Sequence, residues 1–301
     1  MSAELVPCAI CRGTATRRLY TKFGYDIVRC RGCGLVFASP RAPAEKILSR
    51  YGPEYFWNEY LPALGVVDGR YDLSTFDARY ARLLQLLGPA SGRKLLEVGC
   101  GAGFLLKAAE RAGWRVTGIE LSAEGSRFAR ERLELDVRRE RAESIALTPA
   151  TFDAAVMFDT IEHLFDPRAV LSSLAVTLVS GGTLLIGTPN FNALSRQVLG
   201  PDWAVLSPLE HLYYFEERTL RALLEACGFD GVRFVREHAA WTPQETMNHR
   251  YTHAPDGLRA RACGVLYRTG GRALARALQR AGRQDILLCT ARKYSPPGSR
   301  L

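Results

Sequence analysis

The chain has 301 residues, 47% of them hydrophobic and 24% charged, with 40 lysines and arginines against 31 aspartates and glutamates, for a net charge of +9. That is an ordinary globular composition, long enough for one large core with an appendage or for two modest domains, and it excludes a fully disordered chain. The longest apolar run, 154–158, has five residues, far short of the ~20 a membrane-spanning helix needs. The first residues also lack the basic start and apolar stretch of a secretory signal, so a cytoplasmic protein without membrane insertion is expected.

The charge is unevenly spread. Residues 1–50 carry 9 basic and 3 acidic side chains, 51–240 carry 20 and 25, and 241–301 carry 11 and 3. Basic ends favour an acidic partner, such as an anionic metabolite, a carrier or RNA, over the plainer reading of a solvated arginine-rich surface only if a site is found for it.

In chain order, the first element is a paired cysteine motif. Cys8 and Cys11 form one C-x-x-C and Cys30 and Cys33 another, with residues 12–29 between them. That spacing reads as a structural four-thiolate Zn²⁺ site, and Gly13 and Gly34 allow the tight turns in which backbone N–H groups face the sulfurs. Residues 1–38 are therefore expected to form a small zinc ribbon. The other four cysteines are scattered singly, and nothing points to the oxidising compartment a disulfide framework requires.

Residues 39–92 read as a connector. Pro40, Pro43, Pro53 and Pro62 punctuate it, Tyr51, Tyr55, Phe56, Trp57 and Tyr60 stud it, and it ends in an amphipathic helix over 74–87 that Gly88 and Pro89 stop. From 93 to 301 short strands alternate with helices. Strands are predicted at 95–98, 115–119, 136–138, 154–158, 183–186, 232–235 and 286–290, and helices at 103–112, 124–134, 167–178 and 217–227. This alternation specifies an α/β fold, doubly wound, with a mostly parallel seven-stranded sheet covered on both faces. An insertion at 240–283, with a helix over 272–281, interrupts the rhythm.

Two strand ends carry the chemistry. At 95–103, LLEVGCGAG runs from a buried strand through a glycine turn into a helix. The spacing is G-x-G-x-G, not the G-x-G-x-x-G of dinucleotide binders. Glu97, just before the first glycine, would repel a pyrophosphate but favour a ligand bearing an ammonium and a sulfonium. The next strand ends in Gly118-Ile119-Glu120, which places a carboxylate where it can accept both hydroxyls of a ribose.

These residues, the segment FDAAVMFDTIEHLFDP at 152–167, Gly181-Gly182, Thr188-Pro189-Asn190 and the run from Glu210 to Phe215 resemble the class I S-adenosylmethionine-dependent methyltransferases, above all the group related to the ubiquinone-pathway O-methyltransferases. The resemblance covers about 93–238 and the last strand. The cysteine module resembles a recurring attachment to such enzymes of small-molecule and glycan pathways. The resemblance implies a Rossmann-like fold and S-adenosylmethionine as cofactor. Glu97, Gly99, Cys100, Gly101 and Gly103 would lie at its methionine and ribose part, with Cys100 itself a small buried filler. Glu120 would hold the ribose diol, Leu121 would pack on adenine, Ala142 and Glu143 would stand near the adenine amino group, and Phe158 and Asp159 would lie beside the methionyl group.

For the acceptor, His163 and His211 are the candidate bases or orienting groups, whereas His238, His249 and His253 have no motif around them. Asp159, Glu162, His163 and His211 also resemble the carboxylate–histidine set that binds a divalent cation in small-RNA 2′-O-methyltransferases, although Asp159 replaces a longer glutamate and the distal segment offers one histidine. Trp203, Tyr213, Tyr214, Phe215 and Trp241 read either as acceptor-pocket walls or as core. Arg272, Arg276 and Arg280 form one basic helix face opposite Leu274 and Leu278, either solvated or bound to an acidic acceptor.

The leading function is methyl transfer to a small molecule: a metabolite, glycan precursor, nucleotide-linked sugar or natural product. The alternatives are an RNA methyltransferase using the ribbon to bind RNA and a non-catalytic zinc-ribbon nucleic-acid-binding protein, against which the intact Glu97–Gly103 and Glu120 features argue.

Overall fold

The computed structural model describes residues 4–236 and 256–294; residues 237–255, with His238, Trp241, His249 and His253, the tail from 295 and the side chain of Arg272 lie outside the described residues. In chain order the strands are β1 (Thr16–Lys22), β2 (Tyr25–Cys30), β3 (Val36–Ala38), β4 (Lys94–Val98), β5 (Arg115–Glu120), β6 (Val137–Arg139), β7 (Phe152–Phe158), β8 (Leu178–Pro189), β9 (Tyr213–Tyr214), β10 (Phe229–Phe234) and β11 (Ile286–Lys293). The longer helices are α1 (Leu73–Leu86), α2 (Phe104–Arg111), α3 (Ala123–Leu133), α4 (Pro167–Thr177), α5 (Glu217–Ala226) and α6 (Leu258–Arg280). The chain divides into two compact units. One comprises Met1–Ile47, Gly187–Leu223 and Phe234–Cys289, the other Leu48–Ile186, Leu224–Arg233 and Thr290–Leu301.

In the first unit β1 and β2 form a hairpin closed by Phe23 and Gly24, both at positive φ, the backbone of a two-residue turn whose twist suits antiparallel strands. β3 adds to β2, and β9 adds to β3 with Val36 opposite Tyr214 and Phe37 opposite Tyr213. The cysteine segment thus shares one four-stranded sheet with residues more than 170 positions away. Ile27 and Val36 join Phe191, Trp203, Leu206, Tyr214, Cys263, Tyr267 and Leu278 in a buried cluster, so Trp203 and Tyr214 are core, as are the buried Tyr213 and Phe215. α6 is longer than the sequence suggests. Gly271, at φ 44° and ψ −139°, breaks it internally, and that glycine hid the N-terminal half from a periodicity reading. Arg276 and Arg280 are exposed on it.

The second unit is built on a seven-stranded sheet of order β10-β11-β8-β7-β4-β5-β6. β4 runs parallel to both β5 and β7, and β5 to β6. The order reverses between β4 and β7, and in open α/β sheets the crevice outside the strand ends at such a reversal is where ligands bind. Local chemistry sets the elements around it. Asp72 caps α1 by accepting from Ser74 N at 2.9 Å, Ser122 caps α3 from Gly125 N at 3.3 Å, and Asp166 caps α4 from Ala169 N at 3.0 Å. Phe76 stacks on Phe104 with ring centroids 3.9 Å apart, which docks α1 on α2. β8 spans Gly181 and Gly182, where the sequence suggested a strand starting only after them, and β10 begins three residues earlier than expected.

Candidate active site

β4 carries the buried Glu97 next to its last residue, and Gly99 follows the strand. A side chain at Gly99 would collide with Thr160 and one at Gly101 with the Tyr60 hydroxyl, and both glycines have positive φ. Protein neighbours alone therefore require glycine at these two positions. Glu120, at the tip of β5, is 8% exposed. Its Oε2 accepts from Gly101 N at 2.7 Å and its Oε1 from Ser122 N at 2.6 Å. One carboxylate thus ties together the two strand-end loops and still has acceptor capacity for a ligand hydroxyl.

Glu97 is 4% exposed and its Oε2 has no hydrogen-bond partner among the described residues. Burial, and then the neighbouring Glu120 charge, hold its carboxyl well above the usual range. Burial also raises Glu120, partly offset by the N–H groups of Ser122, Gly101 and Leu121. Asp159, which follows β7 at φ 47°, is pushed by burial to about 7. Acids this costly to bury suit a cationic ligand.

These loops surround a cavity whose space, with its open mouth included, is about 920 Å³. Of the residues singled out from the sequence for the cofactor, Gly99, Gly101, Glu120, Leu121, Ala142, Glu143 and Asp159 line it, and Glu97, Cys100, Gly103 and Phe158 are not part of its lining. Glu143 is partly committed elsewhere, since its Oε1 accepts from Phe165 N at 2.8 Å. The connector supplies a wall that the sequence left without a role. Tyr51, Tyr55, Phe56 and Tyr60 all line the cavity. The segment is anchored to α3 by Trp57 Nε1, which donates to Glu124 Oε2 at 3.1 Å. His163 also lines it, with Nδ1 3.1 Å from Tyr51 Oη and Nε2 3.9 Å from the buried Glu162 carboxylate.

A family model described as a methyltransferase domain matches residues 72–233, more than half of the chain. The chain belongs to the methyltransferase domain family. A ubiquinone biosynthesis O-methyltransferase of Xylella fastidiosa (strain 9a5c) is 36% identical over 180 residues, covering 54% of this chain and 73% of that protein. A solved methyltransferase from Archaeoglobus fulgidus, dependent on S-adenosylmethionine, superposes with a TM-score of 0.53 at 18% identity, over 78% of this chain and 100% of that one. The [4+2]-cyclase SpnF gives 0.51 at 22% identity, over 84% and 98%. At such identities the two structures speak for the fold alone, and the cyclase marks why the fold alone does not name a reaction. The family match and the O-methyltransferase relative do: the protein is an S-adenosylmethionine-dependent methyltransferase.

The methyltransferase's cavity fits that cofactor. The carboxylates of Glu120 and Asp159 line the cavity and suit a ligand that carries hydroxyls and positive charge, while its described lining holds one guanidinium, Arg141, which stacks on Phe165 at 4.9 Å and pairs with Glu143 at 3.6 Å. The sign of a pH effect follows. Carboxyls raised by burial hold protons that a cationic ligand displaces, so S-adenosylmethionine binding is expected to release protons and to tighten as pH rises above the ordinary carboxylate range. The same groups make the ligand-free protein less stable over that rise. Calorimetry in buffers of differing ionisation heat reads both, and an affinity unchanged from about pH 5 to 8 would contradict the assignment.

His211 belongs to the other unit, where its Nδ1–H donates to the Val205 carbonyl at 2.8 Å and burial lowers its pKa. In that unit the four N-terminal cysteines converge, with Cys8 Sγ 3.3 Å from Cys33 Sγ, Cys11 Sγ 3.4 Å from Cys30 Sγ, and all four within 4.8 Å. Burial pushes the Cys8 thiol up. For Cys30, burial is outweighed by the N–H groups of Cys33 and Gly32 and by the Cys11 thiol, which bring it down to about 7. Arg218 donates to the Cys33 carbonyl at 2.7 Å, and Arg29 bridges the Gly34 carbonyl at 3.2 Å and Glu216 at 2.8 Å. No helix of the described residues is long and apolar enough to cross a membrane.

Proposed function

We propose that the methyltransferase modifies a hydroxyl oxygen of a small molecule that is uncharged at its reacting end, with His163 as the base. The observation that carries this reading is the cavity lining. Beside His163 it offers Leu48, Tyr51, Tyr55 and Leu164, and its one arginine is already engaged. Such walls suit a small apolar acceptor, and among the described residues they add no further guanidinium or ammonium for the phosphates of RNA. The O-methyltransferase relative supports oxygen as the atom methylated.

Bound S-adenosylmethionine supplies a methyl carbon on a sulfonium whose sulfur leaves neutral. The protein's task is to align the acceptor oxygen with that carbon and to take its proton as the C–O bond forms. In the tautomer that gives Nδ1–H to Tyr51 Oη, Nε2 is the ring atom that takes the proton, and the Glu162 carboxylate 3.9 Å from it stabilises the imidazolium formed. His163→Ala is expected to lower kcat by about a hundredfold or more with cofactor affinity unchanged. Tyr51→Phe should lower it less and displace the pH profile. Labelled methyl transfer to fractionated metabolites provides the assay. An unchanged kcat in His163→Ala would remove the histidine from catalysis. Activity restored only by an added divalent cation after chelation would assign the carboxylate–histidine set to a metal instead, and tight, steeply salt-dependent tRNA or rRNA binding would favour an RNA acceptor.

We further propose that Cys8, Cys11, Cys30 and Cys33 hold one Zn²⁺. Four convergent thiols close a tetrahedral site with no position for water, so this metal is structural and takes no part in methyl transfer.

A further inference from the structure

We propose that Tyr60 binds the α-carboxylate of S-adenosylmethionine. The inference rests on the cofactor's occupying the cavity described above, and it concerns the one group of the cofactor that this cavity would repel. Glu120, Glu140, Glu143 and Asp159 line it, against a single guanidinium held by Glu143 and Phe165. That field attracts a sulfonium and an ammonium but opposes a carboxylate, which then requires a neutral donor placed close to it.

Tyr60 is that donor. Its Oη accepts from Ala102 N at 3.3 Å, at the glycine loop, so its own O–H is left to give to a ligand, and no acceptor for it appears among the described residues. Its nearness to the loop is what forces position 101 to be glycine, since a side chain there would overlap the hydroxyl. The ring is held in advance. It stacks on Phe56 with centroids 5.6 Å apart and 20° between planes, and Phe56 packs edge-on against Phe128 of α3 at 5.9 Å. Burial, then the nearby Tyr80, Glu120 and Glu97, keep the phenol protonated, so it acts as a donor throughout the working pH range. Placing a hydroxyl on a fixed ring against the loop N–H lets an acidic cavity accept a zwitterionic amino-acid end.

The test compares wild type and Tyr60→Phe by titration calorimetry with two ligands, S-adenosylhomocysteine and its decarboxylated analogue, which keeps the ammonium but lacks the carboxylate. Phenylalanine preserves the ring stack, and thermal melting of the ligand-free proteins checks that the fold is intact. Tyr60→Phe is expected to weaken S-adenosylhomocysteine by about tenfold, the scale of a lost hydrogen bond to a charged group, and to leave the analogue within about twofold. Equal losses for both ligands would make Tyr60 a packing residue, and no loss for either would remove it from the site; both results overturn the proposal. Wild type binding neither ligand would instead overturn the placement of the cofactor. Should Tyr60→Phe melt markedly lower, wild type alone still decides, because an analogue bound much more tightly than S-adenosylhomocysteine means that the carboxylate has no ligand in the cavity.

Discussion

Glu120→Ala is expected to abolish measurable S-adenosylmethionine binding while leaving a folded protein. The carboxylate accepts from Gly101 N at 2.7 Å and Ser122 N at 2.6 Å, so it fixes the loop after β4 and the cap of α3 in addition to presenting lone pairs to a ribose. Each charge-assisted hydrogen bond contributes about 1.5–3 kcal/mol. Losing the diol contact and the loop together should cost about 3–5 kcal/mol in affinity on that scale, or roughly a hundredfold to several thousandfold. Stability should fall less, because the same substitution removes a carboxyl whose ionised form burial opposes. Glu120→Gln keeps one acceptor oxygen, so it should bind more weakly than wild type and more tightly than alanine. Calorimetry showing Glu120→Ala within about threefold of wild type (less than a single hydrogen bond supplies) would refute the site.

Removing the zinc is expected to unsettle the whole first unit, well beyond the cysteine segment. Read from sequence, residues 1–38 form a module that loses its fold alone when chelated. The structure instead joins β3 to β9, sets Ile27 and Val36 in a core with Trp203, Tyr214 and Tyr267, and grips the second cysteine turn with Arg29 and Arg218. Structural zinc in small domains contributes about 10–16 kcal/mol, comparable to the entire stability of a domain. A chelator, or serine at any one of Cys8, Cys11, Cys30 and Cys33, should therefore expose cleavage sites around 200–223 together with those near the N-terminus. Cys227→Ser and Cys263→Ser should keep the metal. Elemental analysis should return about one zinc per chain for the four-ligand site. Proteolysis confined to the first 38 residues would show the ribbon to be independent, and a reduced protein without zinc yet resistant to protease would refute the metal.

The parts of the site that the sequence reveals are those made within one strand and the turn after it. LLEVGCGAG names a buried strand, a glycine turn and an acid that disfavours pyrophosphate, and the cavity lies there; Glu120 is at the tip of the next strand for the same reason. Two C-x-x-C pairs specify their own turns, and their sulfurs converge. Other features depended on strand order and burial. The tyrosines at 51, 55 and 60 looked like ornaments of a connector because no periodicity joins them. They become a cavity wall through Phe56 against Phe128 and Trp57 against Glu124. His211 sits in a motif that reads as catalytic, but the motif does not reveal that its ring is held through Nδ1–H by the Val205 carbonyl. The aromatics of 213–215 look like pocket walls until β9 is seen to pair with β3 and bury them. Periodicity, caps and metal spacings are local, because they follow from backbone geometry over a few residues, so the sequence by itself determined the strand ends, the acids on them and the cysteine turns. Which distant segment covers which face is set by the hydrophobic area each leaves exposed and by the backbone groups each leaves unpaired, and only the tertiary structure decided that the connector walls the cavity and that the ribbon is completed by β9.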